Sequence, residues 1–193
     1  LYSRYMQAAG HDVPLPDPAY PGEYLQDLAS DLLRDLGDSA VSKEKSEAVA
    51  ELAPESLKRT LDQIRGVLEL LGVSYDQWFH ESTLLSTGRF DAVLDFLEDA
   101  ELIVERDGAK WFAATKLGLE EDIVVIRSGE GGPTYFGTDI AYHHEKFLER
   151  KFDRVINVWG ADHHGHVARM HALLQAFGLD PDRLTIILNQ IVN

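Results

Sequence analysis

Two groups of chemistry-bearing side chains stand out in the last third of the chain. The first is Gly160-Ala161-Asp162-His163-His164-Gly165, directly after the apolar run Val155-Ile156-Asn157-Val158-Trp159. In an open parallel sheet, ligands bind beyond the carboxyl ends of the strands, and this turn occupies such a place. Gly160 would let a ligand approach the backbone. Asp162 could accept hydrogen bonds from ribose hydroxyls, and the helix that follows favours anions at its N-terminus. The plainer reading makes Asp162 an N-cap, which explains the aspartate but not two adjacent histidines. His163, His164 and His166, with His143-His144 upstream, also invite a metal reading. The second group is Tyr135-Phe136-Gly137-Thr138-Asp139. Asp139 could be a helix-terminal carboxylate stabilised by the dipole. It could equally face a cationic ligand, since a guanidinium wants a planar bidentate acceptor and a tyrosine adds a hydroxyl and an aromatic face.

The elements that must position these groups follow from the hydrophobic pattern. Thr134–Phe136 reads as a strand, residues 139–149 as a helix and Val155–Trp159 as a strand. Val167–Phe177 reads as a helix closed by Gly178, and Leu184–Leu188 as a strand after the Asp180-Pro181 turn. This alternation predicts a parallel, doubly wound sheet. Upstream, four prolines (Pro14, Pro16, Pro18, Pro21) mark an extended segment. Leu25, Leu28, Leu32, Leu33 and Leu36 predict a helix ended by Gly37. A second helical region runs from about residue 42 to 71. Pro54 should interrupt it, and Leu57, Leu61, Ile64, Leu68 and Leu71 form its apolar stripe. Phe90, Val93, Leu94 and Leu97 give one face of a short helix. Asp107-Gly108 turns a hairpin between Leu102-Ile103-Val104 and Trp111-Phe112, and Ile123–Ile126 makes a third strand. The expected organisation is a helical part over 1–72, an α+β insertion over 73–131 and a parallel-sheet half over 132–193.

Composition sets the outer bounds. The 193 residues are 45% hydrophobic and 26% charged, which is ordinary globular usage. The chain contains no cysteine, which excludes disulfides, thiolate zinc, iron–sulfur clusters and a cysteine nucleophile, and fits a reducing cytoplasm. No apolar run reaches membrane-spanning length, and no signal-peptide pattern opens the chain at Leu1. The net charge is −15, nearly all of it in the first two thirds; residues 132–193 hold seven acids against six bases. That charge opposes strong nucleic-acid or anionic-membrane binding by this chain. A helix plus hairpin could form a winged nucleic-acid module over 73–127, but the segment lacks a basic recognition face.

Thr138-Asp139-Ile140-Ala141-Tyr142-His143, followed by Val155-Ile156-Asn157-Val158-Trp159-Gly160-Ala161-Asp162-His163-His164-Gly165, closely resembles the bacterial arginyl-tRNA synthetases. Tyr20-Pro21-Gly22-Glu23-Tyr24-Leu25 and Asp107-Gly108-Ala109-Lys110-Trp111-Phe112 carry the same resemblance, so it spans essentially the whole chain. It implies an α/β fold, part of a Rossmann-like class I catalytic domain whose nucleotide-binding sheet is interrupted by insertions. It also implies a cytoplasmic ligase that activates arginine with ATP and Mg²⁺ and passes the arginyl group to tRNA. By the same resemblance, Tyr135, Asp139 and His163 match arginine-holding positions, although glutamine is often found where His163 stands. Gly160, Asp162 and His164 match the turn beside the ATP adenosine. No residue of this chain is expected to be catalytic or to bind metal. Class I enzymes carry a His-x-Gly-His signature and a Lys-Met-Ser-Lys-Ser-type loop. His163-His164-Gly165-His166 fits the first by letters only, because its surroundings match a later strand where tyrosine is usual at His166. Ser42-Lys43-Glu44-Lys45-Ser46 faintly resembles the second and reads as a solvated helix face. Both true signatures are expected outside Leu1–Asn193, so the chain alone should be inactive. The alternative is a metal-dependent phosphoesterase, whose family signature Asp162-His163-His164 resembles. That family needs further strand-end aspartates, and Asp139 and Asp153 are the nearby options.

Overall fold

The computed structural model describes residues 1–19, 22–129 and 131–190. Tyr20-Pro21, Glu130 and the end of the apolar run at Ile191-Val192-Asn193 lie outside the described residues. The chain forms two compact units, Leu1–Gln77 and Trp78–Asn193.

The first unit is helical: α1 (Tyr2–Ala8), α2 (Tyr24–Leu36) and α3 (Lys45–Leu70). In α2 the three-and-four leucine spacing buries Leu28 and Leu32 with Ala29, and Gly37 ends the helix at φ 72°. Only glycine takes that backbone without strain. These side chains pack with Tyr5, Met6, Ala40, Ala48 and Leu52 into one small core. The Glu44 carboxylate caps α3 by accepting the Ser46 N–H at 2.8 Å. Residues 42–46 are exposed, so the lysine–serine run is a solvated helix start. Two expectations fail here. Helix α3 runs unbroken through Pro54, although an internal proline costs about 3 kcal/mol. Ala48 and Leu52 before it and Ser56 after it are all buried, which keeps the helix continuous. The expected stripe is also largely uncovered within this unit: Leu57, Ile64 and Leu71 are exposed.

In the second unit, α4 (Ser82–Ser86) and α5 (Arg89–Asp99) precede an antiparallel sheet of β1 (Ile103–Arg106), β2 (Ala109–Phe112) and β3 (Ile123–Ile126). Asp107 and Gly108, both at positive φ, form the two-residue turn between β1 and β2, as its chemistry demands. Helix α5 buries Phe90, Val93, Leu94 and Leu97 on one face. Helix α6 (Tyr135–His144) continues into a π-helical turn, Glu145–Glu149. Strand β4 (Val155–Gly160) then leads through a 3-10 turn, Ala161–His166, into α7 (Val167–Ala176), and β5 (Leu184–Asn189) pairs parallel to β4. The core runs continuously from Leu84 and Phe90 through Phe112 and Val125 to Ile140, Met170 and Leu184. The predicted insertion and the predicted sheet half therefore share one interior.

The α/β class holds, but the parallel part is small. Among the described residues it comprises β4 and β5. The expected strand at Thr134–Phe136 is instead the start of α6. Pro133 makes a single isolated bridge to Ile126 and has no N–H with which to extend a ladder. Thr134 then caps the helix: its hydroxyl accepts the Gly137 N–H and donates to the Val124 carbonyl at 2.8 Å. Asp139 accordingly lies in the second turn of α6, not at its N-terminus, which removes the helix-terminal reading of its charge.

Candidate functional site: an acidic pocket beside the end of β4

Helix α6 places Tyr135, Thr138, Asp139, Tyr142 and His143 on one face, and the π turn adds Lys146 to the same side. Phe79 and Glu81 from the segment before α4, and Trp159 from β4, complete a pocket of about 260 Å³. Close packing fixes α6 at its base. A side-chain carbon on Gly137 would lie 2.6 Å from the Val125 carbonyl oxygen, so only glycine lets the helix sit this near β3.

Asp139 is the unusual group. Its Oδ2 is buried and accepts no hydrogen bond among the described residues. Burial pushes its carboxyl up to about 6, with Glu81 adding to the rise while Lys146 and His163 oppose it. A buried carboxylate without a donor is costly. It becomes favourable when a cation with matching donors enters. Tyr135 stands at the rim, more than half exposed. Burial and the neighbouring Asp139 and Glu81 raise its phenol, which stays protonated at neutral pH.

The far wall is a polar chain. Asn157, 6% exposed, occupies an inward position of β4 between Val155 and Trp159. Its amide stands 2.8 Å from His143 Nε2, and its Oδ1 accepts from Lys146 Nζ at 3.2 Å. His143 is 1% exposed, and its Nδ1 lies 2.8 Å from the Asp139 backbone carbonyl. Burial, and then the nearby Lys146, hold this imidazole neutral, down to about 3. Burial also lowers Lys146 to about 8 against the pull of Asp139 and Glu145, so it remains mostly charged at neutral pH. The ammonium sits 3.9 Å from the centre of the Tyr142 ring, which stacks on Phe79.

Of the residues singled out in sequence, Tyr135 and Asp139 line this pocket. His163 lies alongside it, with its ring 6.1 Å from that of Tyr135 and 5.9 Å from that of Trp159. Gly160 ends β4 opposite Asn189, while Asp162 and His164 project from the exposed 3-10 turn beyond it. Asp162 caps nothing: Gly160 holds the N-cap position of the turn. Among the described residues the Asp162 carboxylate pairs with His163 Nε2, at 3.7 Å. The metal reading loses His143, both of whose ring nitrogens are already engaged. Among the described residues no group of three histidine or acidic side chains could hold a metal. Lys146, Asn157, Phe79 and Glu81 were not singled out from the sequence. Two signals were there: Lys146 follows Asp139 by seven residues, two helical turns along one face, and Asn157 is the lone amide in an apolar strand.

The family model for "tRNA synthetases class I (R), catalytic domain" matches residues 36–191. The chain belongs to the class I arginyl-tRNA synthetase family. An arginine–tRNA ligase of Dehalococcoides mccartyi is 45% identical over 192 residues, covering 100% of this chain and 34% of the relative. One from Desulfitobacterium hafniense is 46% identical with the same coverage. The chain thus spans about a third of the length of the curated relatives it matches. A crystal structure from Campylobacter jejuni described as an arginyl-tRNA synthetase aligns over 98% of this chain and 40% of its own, at 33% identity and TM-score 0.86. The Thermus thermophilus arginyl-tRNA synthetase shares the fold at TM-score 0.67 and 18% identity. Membership in this family replaces the phosphoesterase alternative. Asp162-His163-His164 is here the turn after β4 of a synthetase catalytic domain, and Asp153 lies in the loop before that strand. No helix among the described residues is long and apolar enough to cross a membrane.

Proposed function

We propose that this chain is the middle part of the catalytic domain of a cytoplasmic arginine–tRNA ligase, with 73–131 as an insertion into the nucleotide-binding sheet. The observation that carries the reading is the buried, donorless Asp139 carboxylate beside the Tyr135 phenol. Asp139 accepts the guanidinium of arginine, and Tyr135 and His163 close the rim over it. Gly160, Asp162 and His164, at the carboxyl end of β4, face the adenosine of ATP. Held this way, the arginine carboxylate oxygen bonds to the α-phosphorus while the bond to the bridging oxygen breaks. Arginyl-adenylate forms and pyrophosphate leaves. The arginyl group then passes to the terminal adenosine of tRNA. Mg²⁺ accompanies the nucleotide. The work of these residues is positioning and charge complementarity. With a net charge of −15, the chain leaves most of the grip on tRNA to other parts of the enzyme, and alone it is inactive.

The test uses the complete ligase with tRNA present and arginine-dependent ATP–pyrophosphate exchange. Asp139→Asn keeps the shape and removes the charge. It should raise the arginine KM by about 100-fold, the value of a charge-assisted bidentate contact, and leave the ATP KM within about twofold. Equal losses for both substrates would overturn the assignment.

A further inference from the structure

We propose that Lys146 is a positioning residue for the arginine pocket, acting on Asp139 through Asn157 and His143. The proposal rests on the arginine reading above and extends it to three residues that do not touch the reacting atoms.

The direction of every bond in the chain is forced. An ammonium has donors only, so Lys146 requires Asn157 to turn its oxygen outward at 3.2 Å. The NH₂ of the same amide then faces His143 Nε2 at 2.8 Å, which must present a lone pair. A neutral imidazole with a lone pair on Nε2 carries its proton on Nδ1. That proton points at the Asp139 carbonyl, 2.8 Å away. The backbone pinned by the chain is therefore that of the residue whose carboxylate receives the ligand. Tyr142, stacked on Phe79 with ring centres 4.1 Å apart, holds the ammonium from the other side. The π turn Glu145–Glu149 carries Lys146, and such turns recur at functional positions in helices.

Without the ammonium, the Asn157 amide is oriented by His143 alone, and a flip becomes accessible. Its oxygen would then meet Nε2–H, and an unprotonated Nδ1 would face the Asp139 carbonyl, lone pair against lone pair. Simple electrostatics makes the opposite forecast. Among the described lining residues Lys146 is the one cationic side chain, against Glu81 and Asp139. Deleting a cation from a pocket for a cation should tighten binding. The relay requires that it weaken.

The experiment measures arginine-dependent exchange and arginine binding by the complete ligase with Lys146→Met, Asn157→Leu, the double variant and Lys146→Arg. Lys146→Met and Asn157→Leu should each raise the arginine KM by about tenfold, the value of one hydrogen bond to a charged group, with the ATP KM unchanged. The double variant should be no worse than either single one, because one chain is broken once. Lys146→Arg should restore most of the affinity. In ¹⁵N-histidine spectra, His143 should be the Nδ1–H tautomer alone in the unmodified protein and a mixture in Lys146→Met. An arginine KM unchanged or lowered in Lys146→Met, or losses that add in the double variant, would overturn the relay. If Lys146→Met does not fold, Asn157→Leu decides, since it breaks the chain and keeps the ammonium. Unmodified ligase without arginine-dependent exchange in the presence of tRNA would instead defeat the arginine reading and the relay with it.

Discussion

The helical unit and the second unit hold their charges in opposite ways. In the first, the ion pairs lie at the surface: Asp31 and Asp35 with Arg34, Glu51 with Lys43, Asp35 and Glu55 with Arg59. The second unit has surface pairs too, such as Arg89 with Glu149. It also sets three titratable groups side by side, His143 buried and Asp139 and Lys146 half-buried, and one of them, Asp139, has a buried carboxylate oxygen without a donor. Solvated pairs contribute little to stability and are screened by salt. A buried, donorless carboxylate destabilises the empty protein and favours a cationic ligand. The first unit keeps its charges in solvent, and the second unit draws charge into the candidate pocket.

The largest expected effect comes from removing that buried charge. The Asp139 carboxyl stands near 6 in the folded chain against an ordinary 3.8. A carboxyl raised on folding stabilises fully below its unfolded value, and that contribution is lost as pH rises through the folded value. Asp139→Asn should therefore match the unmodified protein at pH 3.5. It should exceed it by about 1–3 kcal/mol at pH 7.5, read by denaturant unfolding without arginine. The gain should develop between pH 4 and 6. A variant less stable at neutral pH would mean that Asp139 is held for structure, and the contrast between the units would collapse.

The smallest effect belongs to the helical unit. Arg34 hydrogen-bonds Asp35 and Asp31, which raise its already high pKa, yet the group is fully exposed. Arg34→Gln should move the thermal midpoint by no more than about 2 °C, and by less in high salt. A large shift would show that surface pairing in the first unit carries more stability than the contrast allows.

Much of the scaffold could be read from residue patterns because those signals are local. Leucine spacing with Gly37 marks α2, Asp107-Gly108 marks the hairpin, and alternating apolar runs mark β4 and β5. The readings that failed depend on packing that periodicity does not show. The unbroken α3 depends on Ala48, Leu52 and Ser56 all being buried around Pro54. The conversion of Thr134–Phe136 from strand to helix start depends on the Val124 carbonyl waiting for the Thr134 hydroxyl. Of the site, Tyr135, Asp139 and the turn after β4 were legible through motif resemblance. Lys146 and Asn157 were not singled out, because a half-buried lysine and a strand asparagine acquire meaning only when the fold brings them within 3.2 Å.

Calorimetry of arginine binding to the complete ligase at pH 6, repeated in buffers of different ionisation enthalpy, counts the protons released. If Asp139 waits half-protonated for a guanidinium, each arginine should expel about half a proton, falling towards none at pH 8 and absent at both pH values in Asp139→Asn. Arginine binding with no proton release at pH 6, or with the same release from Asp139→Asn, would contradict a carboxylate kept for the cation.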